Sequence, residues 1–364
     1  MRYALSAFAV ALLAACGLRP FPAPHPTCHP TTPAELWTCI GEPDPHPRES
    51  AFTSTSRVAT GDMTRRLLLN QVPSLACNRT PWRGFAPIED GSLIGFIHKG
   101  DADKAIVIVV HGLFDSNTNR YARYIASGLA DDGFTVVVPD MRWHGCKLDE
   151  PALATAGLDE SKDLAEWADL LRARFNRRIG LLGVSLGGLD VINAAARYDK
   201  FDAGAVVISP PAAMAKVLDN LDTPPTFAEH GLNKFFVLYF RGVLRVRNRR
   251  IGIPFWSKEP FHAFLQHVVD SHPDQTFPDS LEALLKDVEP ATRLREVKHP
   301  MLILAADNDP VMRKSSAEAL VKAAEGLPHI RVIETVEGGH AGIIGRDPQW
   351  FSDAIAIFFN SSLR

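Results

Sequence analysis

Several features are scarce in this 364-residue chain, and each scarcity closes off a class of protein. Neither sign of charge is in excess. The 39 Lys and Arg face 42 Asp and Glu, leaving a net charge of −3 and no basic field that would argue for nucleic acid. No tandem repeat is evident, which argues against a solenoid. The apolar run at 4–15 falls short of the about 20 residues that span a bilayer. Cysteine is rare, with five in all. His25, Cys28, His29, Cys39 and His46 stand at no standard zinc spacing, so neither a metal nor an organic cofactor is implied. What remains, 46% apolar and 22% charged, is ordinary for a globular protein with a full core.

The apolar run reads instead as the signal peptide of residues 1–15, opened by the basic start Met1-Arg2-Tyr3. Its end, Leu13-Ala14-Ala15-Cys16, resembles a bacterial lipobox, in which Cys16 would carry lipid and begin the mature chain. Each buried acyl methylene contributes about 0.8 kcal/mol to membrane binding. The expected location is the bacterial cell envelope, on a periplasm-facing membrane. Prolines crowd the stretch that follows, and 16–57 is expected to be an extended, semi-rigid tether. Cys28, Cys39, Cys77 and Cys146 suggest two disulfides in an oxidising compartment. Three pairings are possible, and closeness in sequence favours Cys28–Cys39.

Residues 58–364 read as one domain. Strands are expected at 63–72, 92–98, 105–110, 135–138, 178–182, 205–208, 301–304 and 330–333. The run Ala105-Ile106-Val107-Ile108-Val109-Val110 is continuous rather than alternating, which suits a strand covered on both faces. Helices are expected at 121–129, 159–174, 189–196 and 350–359. Alternating strands and helices predict a mostly parallel sheet with right-handed crossovers. The stretch 210–297 breaks this rhythm and would lie over the sheet as a cap, with a helix at 227–249. Phe235, Phe236, Leu238, Tyr239 and Phe240 make that helix apolar. Arg241, Arg245, Arg247, Arg249 and Arg250 then read either as solvated or as a cradle for an anionic head group.

Chemistry concentrates at Gly183-Val184-Ser185-Leu186-Gly187-Gly188, between an apolar strand and a helix former. Strand, G-x-S-x-G and helix make a nucleophile elbow, which lifts the Ser185 hydroxyl above the sheet edge. The helix beyond aims its free N–H groups at an oxyanion beside the serine. A serine nucleophile needs a base, and the base an orienting acid. Asp307 and Asp309 both follow a buried strand and both qualify as the acid. His340, between glycines after the last strand, qualifies as the base. The remaining histidines are expected to be solvated or structural.

These motifs, with His111-Gly112-Leu113-Phe114, resemble an α/β-hydrolase from about residue 93 onward. That resemblance implies an α/β-hydrolase fold with a central, mostly parallel sheet, flanking helices and a helical cap insertion. The segments 300–312 and 338–342 are similar to the YheT-like branch of carboxylesterases. The resemblance implies Asp309 as the acid, and Leu113 and Leu186 as the oxyanion donors. Arg142-Trp143-His144-Gly145 departs from the Arg-Gly-His-Gly of many relatives, and the tryptophan would reshape the turn or line the pocket mouth. The implied activity is cleavage of carboxylic esters, small or lipid-like, by Ser185, His340 and Asp309 through an acyl-enzyme. An acyltransferase with the same triad and a non-catalytic envelope binding protein are the alternatives.

Overall fold

In the computed structural model, residues 22–24, 28–43, 77–224, 226, 233–309, 311–336 and 338–361 are described. The signal peptide, Cys16, the start of the domain at 58, the strand expected at 63–72 and the start of the helix expected at 227 lie outside the described residues.

Among the described residues, eight strands form one sheet. They are β1 (Ala86–Asp90), β2 (Leu93–His98), β3 (Ile106–Val110), β4 (Thr135–Pro139), β5 (Ile179–Val184), β6 (Ala205–Ile208), β7 (Met301–Ala306) and β8 (Ile330–Thr335). Their order is β1-β2-β4-β3-β5-β6-β7-β8. The pairs β1–β2 and β2–β4 are antiparallel, and the other neighbours run parallel. β1 was not legible in Ala-Pro-Ile-Glu-Asp, because an edge strand buries only Ile88 and tolerates proline.

Alternate residues of β3 feed two cores. Val107 and Val109 face α1 (Pro33–Ile40), α2 (Arg120–Asp131) and α10 (Pro348–Asn360). Ile106, Ile108 and Val110 face α3 (Leu158–Phe175), α4 (Leu186–Arg197) and α9 (Lys314–Ala324). All five are fully buried, so the unbroken apolar run follows from having helices on both faces. The chain runs from β3 out to β4 and returns past β3 to β5. Sheet order therefore reverses between β3 and β5, and a crevice opens above their carboxyl ends.

Between β6 and β7 the longer helices among the described residues are α5 (Met214–Asp222), α6 (Asn233–Asn248), α7 (Pro260–Ser271) and α8 (Leu281–Asp287). Their apolar sides pack with Phe114, Trp143, Val311 and Met312, which sit on loops beyond the strands, into a third core.

The extended tether needs amending over 28–43. Helix α1 starts at Pro33, where a missing N–H costs nothing, and Thr32 Oγ1 accepts the Glu35 amide at 3.2 Å. Leu36 and Ile40, one turn apart, are buried in the sheet core. Trp37 Nε1 donates to Pro328 O at 2.8 Å, and Trp350 Nε1 to Ile40 O at 3.0 Å. Further upstream, Ser352 Oγ donates to Pro22 O and Gln349 Nε2 to Ala23 O. The disulfides are Cys28–Cys39 and Cys77–Cys146.

Candidate active site

The turn from β5 into α4 is tight enough to set Ser185 at φ 58, ψ −123, outside the regions an L-residue prefers. Strain of that kind costs about 1–3 kcal/mol and is kept where the surroundings enforce it. Ser185 N donates to Ile208 O at 2.8 Å, which ties the elbow to the neighbouring strand. Glycine is required on both sides. A Cβ on Gly183 would lie 2.2 Å from Gly187 O, and one on Gly187 would lie 2.4 Å from His111 O.

His340 lies on the loop after β8, in a backbone that turns through Gly338, Gly339 and Ala341, all at positive φ. Asn308 Oδ1 accepts the Gly339 amide at 2.7 Å, and Ser209 Oγ accepts the Ala341 amide at 3.0 Å. So braced, the imidazole stands with Nε2 2.8 Å from Ser185 Oγ and Nδ1 2.8 Å from Asp309 Oδ2. Asp309 is buried, and its Oδ1 accepts the amides of Val311 and Met312 at 2.8 and 2.9 Å. A carboxylate held this way accepts the Nδ1 proton, which leaves Nε2 bare to take the serine hydroxyl. Asp307 faces elsewhere. It pairs with Lys314 at 3.5 Å, and its hydrogen bond, with burial, pushes Glu334 up to about 7. Of the two aspartates left open by the motifs, the one within reach of the imidazole is Asp309.

Opposite the serine runs the loop after β3. His111 Nε2 accepts the Met141 amide at 3.1 Å, so its Nδ1 carries the proton and donates to Gly112 O at 3.0 Å. Burial holds this imidazole neutral, with a pKa lowered to about 4. The Gly112 amide donates to Tyr121 Oη at 2.7 Å, and Tyr121 donates to Asp115 Oδ2 at 2.8 Å. The next amide, of Leu113, and that of Leu186 at the start of α4 donate to no protein acceptor among the described residues. Both residues line the crevice beside Ser185.

That crevice has a cavity volume of about 150 Å³ and is walled almost wholly by apolar side chains. Ser185 and His340 lie on one side, and Phe240, Leu244, Phe261, Phe264 and Leu265 come from the cap. Trp143 lines it too, stacked on Phe264 with centroids 4.5 Å apart. The cap arginines are engaged rather than clustered as a cradle. Arg241 donates to Lys258 O, Arg245 to Ser257 O and Arg247 to Trp143 O. Arg249 lies over Phe255, and Arg250 pairs with Asp149. Turn carbonyls left without partners draw these long donors inward. Three other histidines sit in pairs with carboxylates, His262 with Asp222, His272 with Asp159 and His299 with Asp199. Among the described residues no group of three or more His, Cys, Asp or Glu is placed to hold a metal ion. Sequence reasoning missed Asn308, Ser209, Tyr121 and Asp115. Asn308 stands between the two candidate aspartates and Tyr121 opens the expected helix 121–129, but no motif singles out either side chain.

The profile of the alpha/beta hydrolase family matches residues 107–354. A Bacillus subtilis (strain 168) protein, YitV, whose name carries the word esterase, is 31% identical over 116 residues. That match takes in 29% of this chain, which spans 45% of YitV. An uncharacterized 31.7 kDa protein of the Escherichia coli traX-finO intergenic region is 25% identical over 253 residues, 65% of this chain and 84% of its own. Among solved structures, the Pyrococcus furiosus esterase Pf2001 superposes with a TM-score of 0.54 at 16% identity, over 78% of this chain and 96% of its own. A 2,6-dihydroxy-pseudo-oxynicotine hydrolase does so at 0.52 and 18% identity, over 76% and 67%. At such identities the likeness is one of fold.

Proposed function

The chain belongs to the alpha/beta hydrolase family, and from that premise we propose that it cleaves carboxylic esters through an acyl-enzyme on Ser185. The observation that carries this reading is the relay from Asp309 through His340 to Ser185, 2.8 Å at each step, beside two unpartnered amides. Ser185 Oγ attacks the ester carbonyl while His340 Nε2 takes its proton. The carbonyl oxygen becomes an oxyanion and is received by the Leu113 and Leu186 amides. Each such donor lowers the barrier by about 3 kcal/mol. Collapse of the adduct expels the alcohol, which takes its proton from His340, and water repeats the sequence to free the acid. Asp309 holds the tautomer and stabilises the imidazolium.

The apolar crevice favours a neutral ester with an apolar acyl group, lipid-like esters included. The lipobox-like Cys16 supports an enzyme held by lipid in the bacterial envelope, and the two disulfides support an oxidising compartment. A fluorophosphonate label and a panel of p-nitrophenyl esters of graded chain length test the activity. Ser185→Ala should abolish labelling and hydrolysis with the fold unchanged by circular dichroism. Labelling that survives in this variant overturns the catalytic assignment.

A further inference from the structure

Arg247 comes from cap helix α6, yet it is only 5% exposed and its guanidinium lies between two rings of the catalytic domain. Its Cζ is 4.9 Å from the ring centre of Phe114 and 4.9 Å from that of Trp143, within cation–π range of both. Nη1 donates to Trp143 O at 3.2 Å. Nε and Nη2 find no acceptor among the described residues. The rings on either side are themselves backed by the cap. Phe264 of α7 stacks on Trp143, and Phe240 of α6 lies 5.7 Å from Phe114.

Two facts make this more than packing. First, both flanking residues have left-handed backbones, Phe114 at φ 64 and Trp143 at φ 61, a conformation bulky side chains avoid. Second, a buried guanidinium with two idle nitrogens is a poor way to fill space. An apolar side chain of similar length would be as stable or more so. Strain and an under-paired charge occur together one residue beyond Leu113, which lines the crevice beside Ser185 and whose amide has no protein acceptor among the described residues.

We propose that Arg247 is a positioning residue, a wedge by which the cap holds the Phe114 turn so that the Leu113 amide points at the developing oxyanion. The proposal rests on the ester-cleaving reading above. Seating of the cap and completion of the oxyanion site are then a single event, with Trp143 as the far jaw of the clamp.

The test is Arg247→Met, which keeps length and removes charge, with Arg247→Lys, which keeps charge and loses the planar stack. Arg247→Met should lower kcat about tenfold while KM stays within about twofold, because the lost alignment is felt in the transition state. A trifluoromethyl ketone, which forms a hemiketal oxyanion on the serine, should bind about tenfold more weakly in proportion. Arg247→Lys should fall between the two, and the thermal midpoint of Arg247→Met should not drop. Wild-type kcat and ketone affinity in Arg247→Met overturn the proposal, as does a loss of activity that only tracks a loss of folded protein. A wild-type protein that neither hydrolyses any ester nor reacts with a fluorophosphonate overturns the ester reading itself, and the wedge with it.

Discussion

The sheet region and the cap differ in what their covered arginines meet. Around the sheet, apolar side chains fill both cores, Arg142 meets Asp159 and Asp163 under cover, Arg177 and Arg178 reach main-chain carbonyls, and other charges pair outside, as in Arg172–Asp202, Arg174–Asp90 and Lys298–Asp199. Such exposed pairs contribute little, about 0–1 kcal/mol each. In the cap, Arg241, Arg245 and Arg247 turn inward and donate to main-chain carbonyls at Lys258, Ser257 and Trp143, while Arg250 pairs with Asp149 at the surface. The core is therefore set by side-chain pattern along each strand, and it carries Ser185, Asp309 and His340 just beyond strand ends. The cap is set by captured turns, and it shapes what surrounds those atoms. Damage to the first should erase chemistry, whereas damage to the second should alter alignment or choice of ester.

The sharpest way to break that division is inside the core. Asp309→Asn leaves the carboxylate's shape but invites the wrong His340 tautomer, and kcat should fall by about 10⁴. Asp307→Asn, two residues away and paired with Lys314, should change kcat less than about threefold. A larger loss at 307 would show that the wrong aspartate has been assigned to the histidine. Next in size is a covalent link on the sheet side, beside the loop that carries Trp143. Cys77–Cys146 closes a loop of 69 residues and fastens the segment just beyond Trp143. In the chain-entropy account its removal costs about 4 kcal/mol, against about 3 for a loop the length of Cys28–Cys39. Urea midpoints of the two double Cys→Ser variants measure this. Activity per folded molecule should survive in both, and a specific loss in the 77/146 variant would tie this link to the chemistry.

The smallest effect is on pH. His111 is held neutral until about 4, mainly by burial, whereas the unfolded chain takes that proton near 6.5. Between those values the unfolded state binds more protons, so stability is full above about 6.5 and falls as pH drops toward 4. His111→Gln should flatten that slope, as read from urea midpoints at pH 4.5 and 7. An unchanged slope would mean that other groups carry it.

Residues around the chemistry were legible because the constraint on each is local. A glycine-bounded serine between strand and helix, and a glycine-bounded histidine after the last strand, announce turns that few other residues permit. Choosing Asp309 over Asp307 needed the family resemblance, since both follow β7, and the distances to His340 now separate them. What stayed hidden depends on partners far along the chain. β1 takes its form from Leu93–His98 rather than from its own five residues. Helix α1 hid among prolines because its stability comes from Leu36 and Ile40 meeting the sheet core. Arg247 looked like one of five similar arginines, and only the approach of Phe114 and Trp143 sets it apart.

The hydrogen bonds from Ser352 and Gln349 to Pro22 and Ala23 have a consequence for geometry at a membrane. An acyl anchor on Cys16 would be joined to this docked point by six residues, a reach of roughly 21 Å at full extension. A domain of this size is about 50 Å across. The leash is thus shorter than the body it holds, and the flank that carries the start of α10 would always face the bilayer. Such an enzyme is parked in one orientation, and it samples lipid through whichever openings that flank leaves within reach.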